Sequence, residues 1–440
     1  MFEKLFSLKK NQTNIRTEVL AGITTFIAAM YIIIVNPAMV SATGMPFSAV
    51  LTGTVLLSAF CTIMMGLYAN NPILVAPSMG LNAFFTYFVV VGLKVPFEVA
   101  LGALFWAGVL FFILSIFNVR TKIVKAIPKQ VRFAVAGGIG LFIALLGFVN
   151  AGFIVVKEPF IGLGPMNMVT LIFAGGILLT SVLMVKKVKG AMMISIIVVT
   201  LFCIPVGRWF GDASSVTNAV PTLINWQGFY QAPDFSLFFR LDLVNSLKLA
   251  VWPVIFAVVF TDMFDSLSTF VGVAEAANLK DKNGEPRNIK QSLIVDAVAT
   301  GLAGLMGTTS GTAYIESASG VAQGGRTGLT AVVAGLLFLP FMFFSPLLSV
   351  IPTVATAPVL VIVGVFMMKP VMNIDWEKLD DAIPCFLAMI LIPLTYSITQ
   401  GIIWGLLSWT LIKIITGKFR EVSLTLVIID IFSILLLIFE

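Results

Sequence analysis

The chain consists mostly of long apolar runs separated by short polar or charged segments. About fourteen of these runs approach ~20 residues, the length that an α-helix needs to cross the hydrocarbon core of a membrane. The pattern therefore predicts an all-α polytopic membrane protein. The predicted segments lie near residues 18–39, 48–68, 76–91, 96–117, 131–149, 167–184, 190–206, 248–273, 292–307, 307–328, 329–347, 353–372, 382–398 and 400–416.

Three of the predicted segments contain helix interruptions. The third begins with APSMGLNA at Ala76, where Pro and Gly predict an extended start before a helix begins part-way through the membrane. The tenth, Gly307–Gly328, is built mostly of small residues and carries Glu316 at its middle. Irregular backbone at membrane depth occurs only where protein or a wet cavity surrounds it, so we predict that both segments are broken. In the first segment, Pro37 is expected to break or kink the helix near its end.

Composition supports a membrane protein and excludes several other classes. The chain is 59% hydrophobic and 11% charged, with a mean hydropathy of +1.05, so lipid must be the solvent for most of its surface. Histidine is absent, which excludes His-based metal sites and catalytic triads and leaves proton chemistry to carboxylates. Cys61, Cys203 and Cys385 have no paired spacing and are predicted to be buried apolar residues.

The basic residues predict the orientation of the chain. The formal net charge of +6 arises from Lys and Arg in connecting segments, which is a topology signal rather than a nucleic-acid surface. No cleavable leader precedes the first run, so we expect that run to be retained. The positive-inside rule then predicts a multi-pass protein of the bacterial cytoplasmic (inner) membrane, with its N-terminus inside. The predicted inside clusters are Lys4, Lys9, Lys10 and Arg16, then Arg120, Lys122, Lys125, Lys129 and Arg132, then Lys186, Lys187 and Lys189, then Lys280, Lys282, Arg287 and Lys290.

The two halves of the chain correspond weakly to each other. A shift of 234 positions forms the pairs Phe26 and Phe260, Leu81 and Ile315, and Asn82 and Glu316. An odd number of spans in each half would make the halves inverted in the membrane, an architecture found in many secondary transporters. The predicted division is a cytoplasmic N-terminus (1–17), a first seven-segment repeat (18–206), an external connector (207–247), a second repeat (248–416) and an apolar tail (417–440).

Ionisable side chains inside the apolar segments are the main candidates for function. An ionised group at membrane depth costs at least ~2.5 kcal/mol on insertion scales, so it usually faces a cavity or a partner. Asp262 and Asp265 lie three residues apart in the eighth segment and are predicted to face the same side of a helix. Glu316 is interpreted as lining a cavity rather than capping a helix, whereas Asp296 is interpreted as a structural partner.

The third and tenth segments together predict a ligand site. Half-helices bearing Asn82 and Glu316 would leave a gap rimmed by polar backbone, which suits a flat polar ligand. The amide of Asn82 can both donate and accept hydrogen bonds. Phe84 is a candidate for stacking on the ligand, and packing is the alternative because the chain has 38 phenylalanines.

Three motifs of the chain resemble those of one transporter branch, namely APSMGLNAFFTY, FTDMFDSLSTFVGVAEAANL and GTTSGTAYIESASGVAQGGRTGLTA. That branch is the AzgA-like purine permeases of the nucleobase:cation symporter-2, or nucleobase–ascorbate transporter, superfamily. The resemblance extends over essentially the whole chain. It implies a seven-plus-seven inverted repeat, divided into core and gate domains, that moves adenine, guanine or hypoxanthine inward with protons.

The resemblance also implies roles for individual residues. By motif, it matches Asp262, Glu316 and Asn82 to the family's substrate-binding positions and Asp265 to a second acid of this branch. Ser317 stands where the uracil and xanthine branches have Asn, which argues against pyrimidine, xanthine or ascorbate as substrate.

The resulting hypothesis is proton-coupled uptake of a purine base. A neutral purine would donate N–H groups to Glu316, and charge-assisted bonds of that kind are about twice as strong as neutral ones. Asp262 would supply a second contact or carry the coupled proton, Asp265 and Glu316 are further candidates for proton coupling, and Phe84 and Ser317 complete the predicted substrate site. We expect no metal, no cofactor and no nucleic-acid partner, with Na⁺ as the alternative coupling ion and a homodimer as the alternative to a monomer.

Two other functions remain as alternatives. An anion transporter of the same fold would need a basic residue at the site, and the nearest base in sequence is Arg326, about three helical turns beyond Glu316. An intramembrane aspartyl-type hydrolase would use Asp262 and Glu316 as a dyad. We expect a transporter rather than an enzyme.

Overall fold

The computed structural model describes residues 2–117, 126–157, 160–210, 228–277, 279 and 286–439 of the 440-residue chain. Several residues used for the topology prediction lie outside these ranges, namely Arg120, Lys122, Lys125, Lys280 and Lys282. Residues 211–227 of the predicted external connector lie outside them as well.

The described chain is mostly helical. Its α-helices are α1 (Phe2–Phe6), α2 (Ile15–Ala29), α3 (Ile32–Val40), α4 (Phe47–Tyr68), α5 (Met79–Ala83), α6 (Phe97–Ile116), α7 (Lys129–Asn150), α8 (Met168–Val185), α9 (Ala191–Phe210), α10 (Trp252–Ala277), α11 (Ile289–Met306), α12 (Ser317–Ala322), α13 (Gly328–Phe338), α14 (Ser345–Leu348), α15 (Thr353–Met367), α16 (Leu379–Thr395), α17 (Ile398–Ile415) and α18 (Leu424–Phe439). A π-helical stretch, Phe84–Gly92, continues α5.

Four short strands form two separate two-stranded sheets. Strand β1 (Val75–Pro77) pairs antiparallel with β4 (Gly311–Ala313), and β2 (Ile154–Lys157) forms a hairpin with β3 (Phe160–Leu163). The β1–β4 sheet connects the third segment to the tenth, and both of its strands are buried.

The predicted class is confirmed. In the described part of the chain, nine helical stretches are long and apolar enough to cross a membrane, by length and composition. They correspond to the first, second, fourth, fifth, sixth, eighth, ninth, twelfth and fourteenth predicted segments. The other five predicted segments form shorter or interrupted helices. The third and tenth are broken as predicted, because each passes through a strand before its helix begins.

Local sequence signals set several of the helix ends. The side chain of Asn14 accepts a hydrogen bond from the Thr17 N–H at 3.0 Å and so caps α2. Asn167 and Thr170 form a reciprocal capping box at the start of α8. Proline precedes α6 and α7 directly, at positions where the backbone is still extended.

The interruption of the first segment lies earlier than predicted. The break falls at Met30 and Tyr31, between α2 and α3, whereas Pro37 lies inside α3. A proline ring crowds the carbonyl four residues before it, here that of Ile33. The chain tightens just there, because the N–H of Ile33 bonds to the Met30 carbonyl and that of Ile34 to the Tyr31 carbonyl. The distortion caused by Pro37 is thus expressed about one turn upstream.

The helices pack in two groups that combine elements from both halves of the sequence. One group, the core group, contains α2, α3, α4, α5 with its π-helical continuation, α6, α10, α11, α12 and α13, together with the β1–β4 sheet. The other, the gate group, contains α7, α8, α9, α15, α16 and α17. The C-terminal helix α18, which was predicted only as an apolar tail, packs on α17 of the gate group.

Helices α6 and α11 of the core group cross in direct backbone contact. A Cβ atom at Gly108 would lie 2.2 Å from the backbone nitrogen of Gly301. Real Cβ atoms do not approach backbone this closely, so the crossing requires glycine at Gly108. The contact places Thr300, the neighbour of Gly301, against α10.

A buried ion-pair cluster joins three elements at one end of the gate group. The side chain of Lys413 is only 3% exposed, and its Nζ lies 2.7 Å from Asp380, 3.1 Å from Asp381 and 2.9 Å from Glu421. Lys418 also contacts Asp380, at 2.5 Å. The cluster thus joins the start of α16 to the end of α17 and to the turn before α18.

We expect the Asp380→Asn variant to lose stability at neutral pH and to respond less to acid than the wild type. Hydrogen bonds from Lys413 and Lys418 hold the pKa of Asp380 well below its usual range. A depressed pKa adds stability above the unfolded-state value of about 3.9, and that stability is lost as the pH falls. Thermal unfolding of the purified protein at neutral and acidic pH would measure this. Equal melting temperatures of the two proteins at neutral pH would contradict it.

Candidate functional site

The centre of the core group is the crossing of the two interrupted segments. Ala76 lies opposite Thr312 in the β1–β4 pair. The ladder continues beyond the strands, because the Ser78 N–H donates to the Ser310 carbonyl at 2.8 Å and the Tyr314 N–H to the Leu74 carbonyl at 2.9 Å. The pairing satisfies the backbone polar groups that the interruptions would otherwise leave bare in an apolar setting.

A short helix leaves each strand. Helix α5 begins one residue after Ser78, and α12 begins directly after Glu316. The predicted pair of half-helices therefore exists. Their first residues lie beside the strand pair, where helix N-termini and strand ends present polar backbone together.

Glu316 is held by a tyrosine from the first segment. The hydroxyl of Tyr31 donates a 2.6 Å hydrogen bond to Oε1 of Glu316. Tyr31 is 1% exposed and lies at the break between α2 and α3. The sequence analysis did not identify Tyr31. A signal was present, because the chain has only six tyrosines and a tyrosine within an apolar run needs a partner for its hydroxyl.

Asp265 contacts both crossing segments. Its Oδ2 accepts hydrogen bonds from the Ser78 hydroxyl at 2.8 Å and from the Thr312 hydroxyl at 3.2 Å. Glu316 lies four residues beyond Thr312, directly before α12. Asp265 and Glu316 thus form an acidic pair at the strand crossing.

Asp262 lies in a different cluster. It is fully buried and accepts hydrogen bonds from Thr300 and from the Ser310 hydroxyl at 3.1 Å. Ser266 extends the cluster, since its hydroxyl donates to Oδ1 of Asp296 at 2.5 Å. The cluster joins α10 to α11 and to the residue before β4.

As predicted, Asp262 and Asp265 both face the tenth segment, where Asp262 accepts a hydrogen bond from Ser310 and Asp265 accepts one from Thr312. Residues three apart on a helix differ by about 60° in direction. In this tightly packed group, that angle is enough to turn Asp262 toward α11 and Asp265 toward the strands. Asp296 joins the Asp262 cluster through Ser266, in the structural position assigned to it.

Asn82 lies deep beside the strand crossing, in α5. It is fully buried, and its side-chain oxygen accepts a hydrogen bond from Thr309. Among the residues that the structure describes, its amide nitrogen has no partner. That free donor is the feature of Asn82 that a ligand could use.

The strand register is compatible with the predicted shift of 234 positions between the halves. Pro77 lies opposite Gly311, and the two residues are 234 positions apart. The pairing of Asn82 with Glu316 stays a prediction.

The other two predicted substrate residues have local partners. Ser317 accepts a 3.0 Å hydrogen bond from the Leu74 N–H and so closes the strand pair. Phe84 is 1% exposed and stacks on Phe88, with ring centroids 5.2 Å apart. Among the described residues, no group of three or more His, Cys, Asp or Glu residues could hold a metal ion.

A cavity of about 120 Å³ separates the core group from the gate group at another point. It is lined by residues of α3, α7 and α15, including Val35, Asn150, Thr356 and Leu360. Tyr87 of the third segment meets Asn150 of α7 there, and the Asn150 amide donates to the Tyr87 hydroxyl at 3.0 Å. This bond connects the two groups directly.

The chain is a polytopic helical protein with buried acids at the crossing of two broken segments. These features define the class of membrane permeases. Comparison with known sequences gives the same class. The chain belongs to the Permease family, whose profile matches residues 16–403.

Two named relatives cover nearly all of the chain. Adenine permease AdeP of Escherichia coli (strain K12) is 39% identical over 100% of this chain and 96% of its own length. Guanine/hypoxanthine permease PbuO of Bacillus subtilis (strain 168) is 38% identical over 95% of this chain and 96% of its own length. The resemblance to the purine-permease branch is confirmed. The expectation of a transporter rather than an enzyme is confirmed by the same family membership.

Solved structures share the fold at low sequence identity. The transmembrane domain of a cyanobacterium bicarbonate transporter, BicA, has a TM-score of 0.64 and 17% identity, covering 89% of this chain and 97% of that one. The murine Slc26a9 anion transporter in the inward-facing state has a TM-score of 0.60 and 13% identity, covering 92% of this chain and 68% of that one. The predicted inverted-repeat fold is confirmed, and at these identities the likeness concerns the fold alone.

Proposed function

We propose that the chain takes up purine nucleobases, namely hypoxanthine, guanine or adenine, across the bacterial cytoplasmic membrane together with protons. The observation that carries the proposal is the acidic pair of Glu316 and Asp265 at the strand crossing. A neutral purine presents ring and amino N–H groups, which form charge-assisted hydrogen bonds with carboxylates. The names of the relatives AdeP and PbuO support the same substrate class.

We assign different roles to Asp265 and Asp262, the two acids of α10. Asp265 reaches the strand crossing and is placed to contact the base with Glu316, whereas Asp262 is enclosed by hydroxyl groups. A carboxyl group in such an enclosure is better suited to carry the coupled proton than to touch a ligand. The unpartnered amide of Asn82 is available as a donor to a ring nitrogen or carbonyl of the base.

Transport by alternating access follows from the two packing groups. With a neutral base bound and the coupled proton on Asp262, the three buried acids of the core group carry less net charge, and the core group can move past the gate group. The Tyr87–Asn150 bond between the groups would have to break in that movement. We propose that the N-terminus lies inside, as the basic clusters indicate, and that the protein forms a homodimer.

An anion transporter of the same fold is the alternative, since the similar solved structures are transporters of bicarbonate and other anions. An anion would require positive charge at the site. Arg326 instead donates both of its described side-chain hydrogen bonds to the carbonyls of Val321 and Gly325, at 2.7 Å each. The acidic pair at the crossing favours a hydrogen-bond donor as substrate.

A competition experiment tests the proposed substrate and coupling ion. In cells that express the chain, unlabelled hypoxanthine, guanine or adenine is expected to inhibit uptake of labelled hypoxanthine, whereas uracil and bicarbonate are not. Uptake is expected to increase as the external pH falls, because a proton enters with the base, and to be equal in sodium and choline buffers. Cells with the empty vector are the control.

Two results would contradict parts of the proposal. Inhibition by bicarbonate but by no purine would favour the anion transporter. Dependence of uptake on sodium at constant pH would make Na⁺ the coupling ion.

A further inference from the structure

The C-terminal helix α18 carries a carboxylate on its buried face. Asp430 is only 6% exposed, and Ser433, one turn further along the helix, is fully buried. Leu426 and Ile429 on the same face belong to the main hydrophobic core. Asp430 is therefore an acidic residue packed into the protein, in an otherwise apolar helix.

The polar atoms around Asp430 lack hydrogen-bond partners. Within the described structure, neither carboxylate oxygen of Asp430 has a partner, and neither do the hydroxyls of Ser433 and Thr410. Thr410 lies on α17, is 6% exposed and interacts with Asp430. Asp430 and Thr410 thus face each other between α17 and α18, with the buried Ser433 one turn further along α18. None of the three belongs to the site at the strand crossing.

Among the residues that the structure describes, those packed around Asp430 provide no positive charge for it. On α17, the base nearest to Thr410 in sequence is Lys413, whose ammonium is held by Asp380, Asp381 and Glu421. Helix α10 also contacts α18. Its Phe256 stacks on Phe432 of α18, with ring centroids 6.4 Å apart. The acids of α10, Asp262 and Asp265, bond to α11 and to the strand crossing.

We propose that Asp430 is a second proton-binding site of this permease, located where α18 covers the seam between helix α10 of the core group and helix α17 of the gate group. A buried carboxylate without a counter-ion is strongly disfavoured, so the group takes up a proton instead. As a neutral acid it donates its O–H to Thr410 or Ser433 and completes the unpaired polar cluster. Ionisation would weaken the packing of α18 on the seam.

The chemistry of the cluster selects a proton over a metal cation. A sodium or larger ion requires several oxygen ligands, whereas the described cluster offers one carboxylate and two hydroxyls, beside the apolar residues Leu426, Ile429 and Phe256. A proton needs only one acceptor and one neighbouring oxygen. The site is separate from the acids proposed to bind the purine, so its test does not depend on transport.

Thermal unfolding of the purified protein as a function of pH tests the site. Burial favours the neutral acid, so the contribution of Asp430 to stability is expected to be largest below the unfolded-state value of about 3.9 and to be lost as the pH rises above it. In Asp430→Asn, which mimics the neutral form, this pH-dependent loss is expected to disappear. Asp262, Asp265 and Glu316 are present in both proteins, so the difference between their two pH profiles reports on Asp430.

Further variants keep the test decisive. Glu377→Gln, at an exposed position before α16, is the matched control and should keep the wild-type pH dependence. Thr410→Val keeps the acid but removes a hydroxyl that can donate to the ionised carboxylate and stabilise it, so the loss of stability should shift to higher pH. If Asp430→Asn fails to fold, two measurements replace it. One is the pH shift of Thr410→Val, and the other is an infrared band of the protonated carboxyl group that disappears at high pH.

Three results would overturn the proposal. One is an Asp430→Asn variant with the pH dependence of the wild type. Another is a Thr410→Val variant whose transition stays at the wild-type pH. The third is stabilisation of the wild type at high pH by sodium but not by choline, lost in Asp430→Asn, which would assign the site to a metal cation.

Discussion

Replacing Glu316 by glutamine is expected to lower the initial rate of hypoxanthine uptake by about 10- to 100-fold, the effect of losing a hydrogen bond to a charged group. Glutamine keeps the size of the side chain and can still accept the bond from Tyr31. It removes the negative charge that would receive the N–H groups of a neutral purine. Uptake of labelled hypoxanthine, normalised to the amount of protein in the membrane, is the measurement.

Two further variants separate this effect from a general loss of folding. Tyr31→Phe removes one hydrogen bond to Glu316 but leaves its charge, so the loss of uptake should be smaller. Glu98→Gln changes a half-exposed carboxylate that lies 3.7 Å from Arg240, an ion pair of little energetic value, and should retain the wild-type rate. Wild-type uptake by Glu316→Gln would refute the role proposed for Glu316.

Replacing Gly108 by valine is expected to destabilise the protein by about 3 kcal/mol or more, at the upper end of overpacking effects. A Cβ there would meet the backbone nitrogen of Gly301 at 2.2 Å, and backbone cannot move aside as a side chain can. Separating α6 from α11 would also displace Thr300, which donates to Asp262. The variant should show little folded protein in size-exclusion chromatography in detergent.

The chain offers a matched control for the Gly108 variant. Gly175 lies in α8, and a Cβ atom there would have no heavy atom within 4 Å. Gly175→Val introduces the same side chain into a helix and should leave the yield and the melting temperature close to those of the wild type. Similar behaviour of the two variants would show that the α6–α11 contact is less tight than described.

The architecture was largely predictable from the sequence because lipid imposes simple length and polarity rules on helices. The extended start of the third segment was predicted from Pro77 and Gly80, and the structure has β1 and α5 there. The position of the break in the first segment was not predicted, because it depends on how the distortion from Pro37 distributes along the helix. Pairing between strands of three residues has no clear pattern in the sequence either.

The site was predictable in its residue types but not in its grouping. Acids in apolar segments stand out, and Asp262, Asp265 and Glu316 were all identified on that basis. Which of them lie together depends on side-chain direction and on hydroxyl partners such as Ser78 and Thr312, which are ordinary residues in the sequence. Tyr31 approaches Glu316 only because the chain folds back across the core group, from residues far apart in the sequence.

The β1–β4 ladder also has a consequence for biosynthesis. Val75–Pro77 leave the ribosome long before Gly311–Ala313, which supply their hydrogen-bond partners. Until the second half of the chain is inserted, the first strand must keep its backbone groups hydrated or bound to another protein, because lipid offers them nothing. The amino-terminal half of this permease is thus expected to require shelter during membrane insertion, and to be degraded when it is produced without its carboxy-terminal half.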